Sequence, residues 1–168
     1  EVRTDTPPTL AEIPLDESTF ALLWVPRWDS GNDPYRRTIS QGVDRATVLD
    51  TLGIGHYPDT AMPGEVGNFA VAGHRQSHGK PFYNVTQLVV GDPIVVETAD
   101  AWYVYKVTET KIVLPTEVEV VAPNPSDPAA PADVASITLT TCHPLFSTKE
   151  RFIVHGGLDH WIPHDSGR

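Results

Sequence analysis

"SITLTTC", Ser136 to Cys142, is the stretch on which the reading of this chain turns. Its alternation places Ile137 and Leu139 on one face of a β-strand and Thr138, Thr140 and Cys142 on the other. A short loop later "RFIVHG", Arg151 to Gly156, repeats the period: Arg151, Ile153 and His155 share one face, Phe152 and Val154 the other. Further out lie "FALLWVPRW", "NFAVAG", "DPIVVET", "WYVYKV", "KIVL" and "EVEVV", β-rich runs parted by Gly, Pro, Asn and Asp. Helical spacing is best in "DRATVLDTLGIGHYPDT", where Val48, Leu49 and Leu52 fall on one side and Gly53 and Gly55 give a stop signal. Many short strands with one short helix predict an all-β fold, a barrel in preference to a sandwich.

The chain has 168 residues, 40% apolar and 20% charged, which suits one folded domain with one core. Twelve Lys and Arg stand against 22 Asp and Glu, a formal charge of −10. Long-range attraction to nucleic acid or to an anionic membrane surface is therefore not expected, although a local basic group could still bind an anion. No window approaches the roughly 18 apolar residues of a spanning helix, and the start at Glu1 has no signal-peptide pattern. The chain reads as a trimmed or mature fragment, with any membrane anchor outside it. Residues 1–18 are polar and proline-bearing, a tail or linker, and 19–168 form the domain. "APNPSDPAAPADVA", Ala122 to Ala135, is predicted as a long, semi-rigid loop ahead of the cysteine strand. No internal repeat is present.

Cys142 is the only cysteine, which excludes an internal disulfide and a multi-cysteine zinc site. A lone thiol has two readings: a small buried hydrophobe, or a nucleophile. Its place on the polar face at a strand end favours the nucleophile, which needs a neighbouring cation or base to become a thiolate. Of seven histidines, His74 stands out because "FAVAG" delivers it to a strand end as "SITLTT" delivers the thiol. His143 adjoins the cysteine but belongs to the opposite face. Arg151 would stabilise negative charge on a carbonyl oxygen, and Arg75, beside His74, competes for that role.

His74 with His78, and His160 with His164, have the i, i+4 spacing of helical zinc ligands. Glycines bracket the first pair, a proline interrupts the second, and the sequence marks no third acidic ligand beside them, so no metal is expected. Glu117 and Glu119 read as a solvated face and not as a calcium site. No cofactor is expected.

"TLTTC", from Thr138 to Cys142, "NFAVAGHR" with His74, and Arg151 on the following strand together resemble the sortases, cysteine transpeptidases of the Gram-positive cell surface. "GHYPDTAMPGEVGNFAVAGHR", "TLTTCHPLFSTKERFIVH" and "WYVYKV" are similar in particular to class E sortases of actinobacteria, and the resemblance runs from about Phe20 to Leu158. It implies a closed eight-stranded β-barrel with one or two short helices, in which His74, Cys142 and Arg151 meet at one end of a groove. It further implies that Cys142 cleaves the Thr–Gly bond of a Leu-Pro-x-Thr-Gly sorting signal, or Leu-Ala-x-Thr-Gly in class E, through a thioacyl intermediate. His74 would then serve as acid and base, and Arg151 would steady the oxyanion. The acceptor implied is an amine of a peptidoglycan precursor or a pilin lysine, at the outer face of the membrane. Among helpers, the resemblance gives the Ala122–Ala135 loop and Tyr57 a part in specificity; Arg75, Thr140, Thr141 and His143 are further candidates for substrate binding, although β-propensity alone explains the threonines. Two alternatives remain: a hydrolytic cysteine peptidase, and a non-catalytic β-barrel that binds peptides at the cell surface.

Overall fold

The computed structural model describes residues 1–164. Eight strands follow one another along the chain: β1 (Thr19–Trp24), β2 (Arg36–Gln41), β3 (Ile54–His56), β4 (Gly67–Ala72), β5 (Pro93–Glu97), β6 (Ala101–Val113), β7 (Ala135–His143) and β8 (Glu150–Pro163). They close into a barrel in the order β1-β2-β3-β4-β7-β8-β6-β5, so no strand edge is left open. Two neighbouring pairs are parallel, β2 with β3 and β4 with β7, and the rest are antiparallel. The expected barrel is the fold, and among the described residues no helix is long and apolar enough to cross a membrane.

Strand periodicity fills the barrel. Ile137 and Leu139 of β7, Phe69 and Val71 of β4, and Phe152 and Val154 of β8 point inward to a core shared with Tyr103 and Tyr105 of β6. The other face of the same strands carries Thr138, Thr140, Cys142, Arg151 and Ile153, as the alternation predicts. There Ile153 packs with Val113 and Val120 in a small second cluster.

Several elements differ from the sequence reading. "WYVYKV" and "KIVL" belong to one 13-residue strand, because Thr108–Lys111 continues the pairing with β8 through a register shift. "EVEVV" is a 3₁₀ turn, Val118–Val121; the Glu117 carboxylate accepts from the Leu114 amide (2.7 Å) and turns the chain before a strand can form. Strand β2 escaped notice because its charged start, "RRT", has no apolar alternation, and β3 because it is three residues long behind a helical segment. The helix itself is one turn, Arg45–Leu49, capped by the Asp44 side chain on the Thr47 amide; it buries Val48 but leaves Leu52 39% exposed. The expected N-terminal tail lies against the barrel: Arg3 bridges to Trp161, the Trp161 indole donates to the Asp5 carbonyl, and the Tyr103 hydroxyl donates to that of Pro8. Residues 165–168 of the expected domain lie outside the described residues.

Leu139→Ala should cost about 2–5 kcal/mol in denaturant unfolding, since the residue is fully buried among core neighbours. Ile112→Ala, at a position 49% exposed, should stay within about 0.5 kcal/mol.

Stability should also depend on pH through His56 and His155. Burial pushes each down to about 4 in the folded state. The unfolded chain protonates them at about 6.5, so their contribution is complete above that pH and is lost as pH falls towards 4. Melting scans should therefore show a smaller drop between pH 7 and 4.5 in His155→Asn than in the unaltered protein.

Candidate active site

Cys142 on β7 lies directly opposite Arg151 on β8 in an antiparallel pair, so the two side chains leave the same outer face. Parallel pairing of β4 with β7 aligns Ala72 with Thr140, and two bonds extend it past the strand end: the Gly73 amide to the Thr140 carbonyl (3.2 Å) and the Thr141 hydroxyl to the Gly73 carbonyl (2.7 Å). His74 follows at once and is thereby carried alongside Cys142. A Cβ at position 73 would sit 3.1 Å from the Phe82 ring and from Pro81, so a larger residue there needs those side chains to give by a few tenths of an ångström. His74, Cys142 and Arg151 line one open groove of about 560 Å³. Its far wall is the segment from Val113 to Val121.

The Arg151 guanidinium is tethered through Nη1 to the carbonyls of Thr148 (2.9 Å) and Glu150 (3.0 Å). This leaves Nε and Nη2 without a partner among the described residues, free to donate to a carbonyl in the groove. His74 donates from Nε2 to the Asp50 carboxylate at 2.6 Å, which leaves Nδ1 as the nitrogen open to exchange a proton. Asp50 is the functional neighbour that sequence reasoning missed. It sits immediately after the Arg45–Leu49 turn, 24 positions from His74, and nothing local marks it.

The remaining expected residues divide. Arg75 is 6% exposed, its Nη1 donating to His143 Nδ1 (2.9 Å) and to the Cys142 carbonyl (3.4 Å). Burial lowers its guanidinium below the ordinary value, while Tyr83 and Cys142 act the other way. Arg75 thus buttresses the thiol's backbone and lines the groove together with Arg151. His143 takes no part in the groove lining; it belongs to the opposite face of β7, with its ring 5.5 Å from that of Phe152. Tyr57 and Thr140 line the groove joined hydroxyl to hydroxyl at 2.9 Å, and the Thr141 hydroxyl is taken by Gly73. These threonines hold the frame of the site. The Ala122–Ala135 loop, expected to border it, contributes no lining residue; the preceding segment does, because the 3₁₀ turn folds Val120 and Val121 over Ile153.

The other histidines have separate partners: His56 the Gln41 side chain, His155 the Thr138 hydroxyl, His160 Asp159, and His164 Glu97. One expectation needs correction. The absence of an acidic ligand beside His74 and His78 holds along the sequence but not in space, where Asp50 reaches both.

A family model described as a sortase domain matches residues 25–159. The chain belongs to the sortase family. Sortase SrtE1 of Streptomyces coelicolor is 40% identical over 155 residues, covering 89% of this chain and 43% of that protein. Sortase SrtE2 of the same organism is 42% identical over 128 residues, 69% of this chain and 49% of its own. The chain thus spans about half the length of the curated sortases it matches. Among solved structures, the SrtA sortase from Actinomyces oris has a TM-score of 0.90 at 41% identity, covering 100% of this chain and 94% of that one. Sortase E1 from Streptomyces coelicolor, solved with a tripeptide in the active site, has a TM-score of 0.80 at 38% identity, covering 92% and 96%. The resemblance to class E sortases is therefore met in sequence and in fold.

If Asp50 fixes the tautomer in this sortase groove, nitrogen-detected NMR of the neutral imidazoles should show His74 protonated at Nε2. Asp50→Ala should shift that population towards Nδ1 while leaving His56 unchanged.

Proposed function

We propose that this sortase cleaves a sorting signal of the Leu-Ala-x-Thr-Gly or Leu-Pro-x-Thr-Gly type between Thr and Gly and transfers the acyl part to an amine. The observation that carries the reading is the pairing of Cys142 with Arg151 on the outer barrel face, with His74 brought beside them in one peptide-sized groove. The Cys142 thiolate attacks the threonine carbonyl carbon, and the developing oxyanion is met by the free donors of Arg151. The thiol's proton has by then passed to His74 Nδ1, and the carbon–nitrogen bond to glycine breaks as Nδ1 gives that proton to the leaving amine. A second amine then attacks the thioester, the thiolate leaves, and His74 takes the proton back. Asp50 acts through His74 as a positioning residue.

The incoming amine would come from a peptidoglycan precursor or a pilin lysine, and the enzyme would work at the outer face of a Gram-positive membrane, held by an anchor beyond these residues. The Val113–Val121 wall, with Tyr57 opposite, would receive the apolar start of the motif. The chain's charge of −10 supports a role for Arg151 as a local and not a long-range attractor of the substrate's carbonyls.

Intact-mass spectrometry tests this. Incubated with either peptide, the protein should gain a thioacyl adduct that passes to added triglycine, and Cys142→Ala should gain none. Arg151→Ala should lower kcat by about 10²–10³-fold, the cost of losing one oxyanion donor. Cleavage unaffected by triglycine would make the protein a hydrolase, and turnover by Cys142→Ala would overturn the thiol mechanism.

A further inference from the structure

Two imidazoles converge on one carboxylate oxygen at the rim of the groove. His74 Nε2 lies 2.6 Å and His78 Nε2 3.6 Å from Asp50 Oδ1, and all three atoms are within 4.8 Å of one another. They come from three separate places: the end of the Arg45–Leu49 turn, the end of β4, and the loop beyond it. His74 and Asp50 are already joined by a hydrogen bond, but His78 makes none among the described residues, and its ring stands 4.8 Å from that of His74. His78 also adopts a left-handed backbone, φ 49°, uncommon for a residue with a side chain. An unbonded imidazole held against a carboxylate and a second imidazole is the donor set of a divalent transition metal.

We propose that Asp50, His74 and His78 form a zinc site that switches the enzyme off by capturing its acid–base histidine. Two neutral imidazole nitrogens and one carboxylate oxygen make a three-protein-ligand set, with a fourth position open to water. Tetrahedral zinc with bonds of about 2.0–2.2 Å places its ligand atoms roughly 3.3–3.6 Å apart. The 3.6 Å contact already has that spacing, and the 2.6 Å one opens by less than an ångström once the hydrogen bond gives way to the ion. For zinc to enter, the proton on His74 Nε2 moves to Nδ1, and Nε2 then ligates. Nδ1 is left as a fixed N–H that cannot act as a base, so transfer stops until the ion leaves. Access is open, since the side chains of His78 and Asp50 are 43% and 28% exposed. Two protein nitrogens and one oxygen, without thiolate, suit a reversible site more than a structural one. The metal binding stands on geometry alone; its inhibitory effect rests on the role proposed for His74.

The test separates the two. Zinc chloride titrated calorimetrically into Cys142→Ala, which has no thiol, should bind at one ion per chain. Adding His78→Ala should weaken that binding at least about tenfold, with unchanged thermal unfolding of the metal-free protein. In the protein with its thiol, zinc should inhibit peptide turnover reversibly, with EDTA restoring it; His78→Ala should keep its zinc-free turnover and resist inhibition. Equal zinc affinity with and without His78, or binding that disappears on removing the thiol alone, would overturn the site. One-to-one binding that depends on His78 but leaves turnover untouched would keep the site, overturn its inhibitory role, and count against His74 as the acid and base.

Discussion

Everything at the groove depends on the parallel pairing of β4 with β7. Parallel neighbours cannot be joined by a hairpin, so the chain travels from Ala72 round β5 and β6 before Ala135 returns alongside Gly67. That detour brings residues nearly 70 positions apart into register, and the Thr141–Gly73 bond extends the register beyond the last strand residue. His74 and Cys142 therefore share an end of the barrel without contact in sequence. A one-residue slip of β7 would turn Cys142 to the other face and away from His74, since side chains alternate with period two.

The barrel wall separates two kinds of chemistry. Inside, Ile137, Leu139, Phe69, Val71 and Val154 pack as an apolar core. Outside, the same strands carry a polar layer that is also buried: Thr138 bonds Asn68 and His155, while Thr140 bonds Tyr57 and the Val71 carbonyl. Satisfied hydroxyls of this kind cost little and resist displacement. They brace the outer face where Cys142 and Arg151 emerge, and Arg75 adds support by bonding the Cys142 carbonyl. The wall segment is tied to the same frame, since Val113 pairs with Arg151 and packs with Val120 against Ile153.

Some of this was plain in the residues. Period two in "SITLTTC" and "RFIVHG" assigned each side chain to the face it occupies, and the strand-end positions of His74 and Cys142 marked them as a pair. The turn signals between short apolar runs were sufficient for a barrel. Where the alternation was absent, as in "RRTISQ", or where turn-forming contacts outweighed β-propensity, as in "EVEVV", local pattern failed because the deciding partners lay elsewhere in the chain.

The amino-acid sequence by itself determined the all-β class, the inward and outward faces of β7 and β8, and a single thiol on the outer face, because these follow from side-chain type and strand period; its choice of His74 and Arg151 came with the family resemblance. Only the tertiary structure decided that Arg75 and Arg151 both line the groove, that Arg75 bonds His143 and the backbone of Cys142, and that Asp50 reaches both His74 and His78. Those choices rest on contacts between distant segments, and strand closure alone sets them.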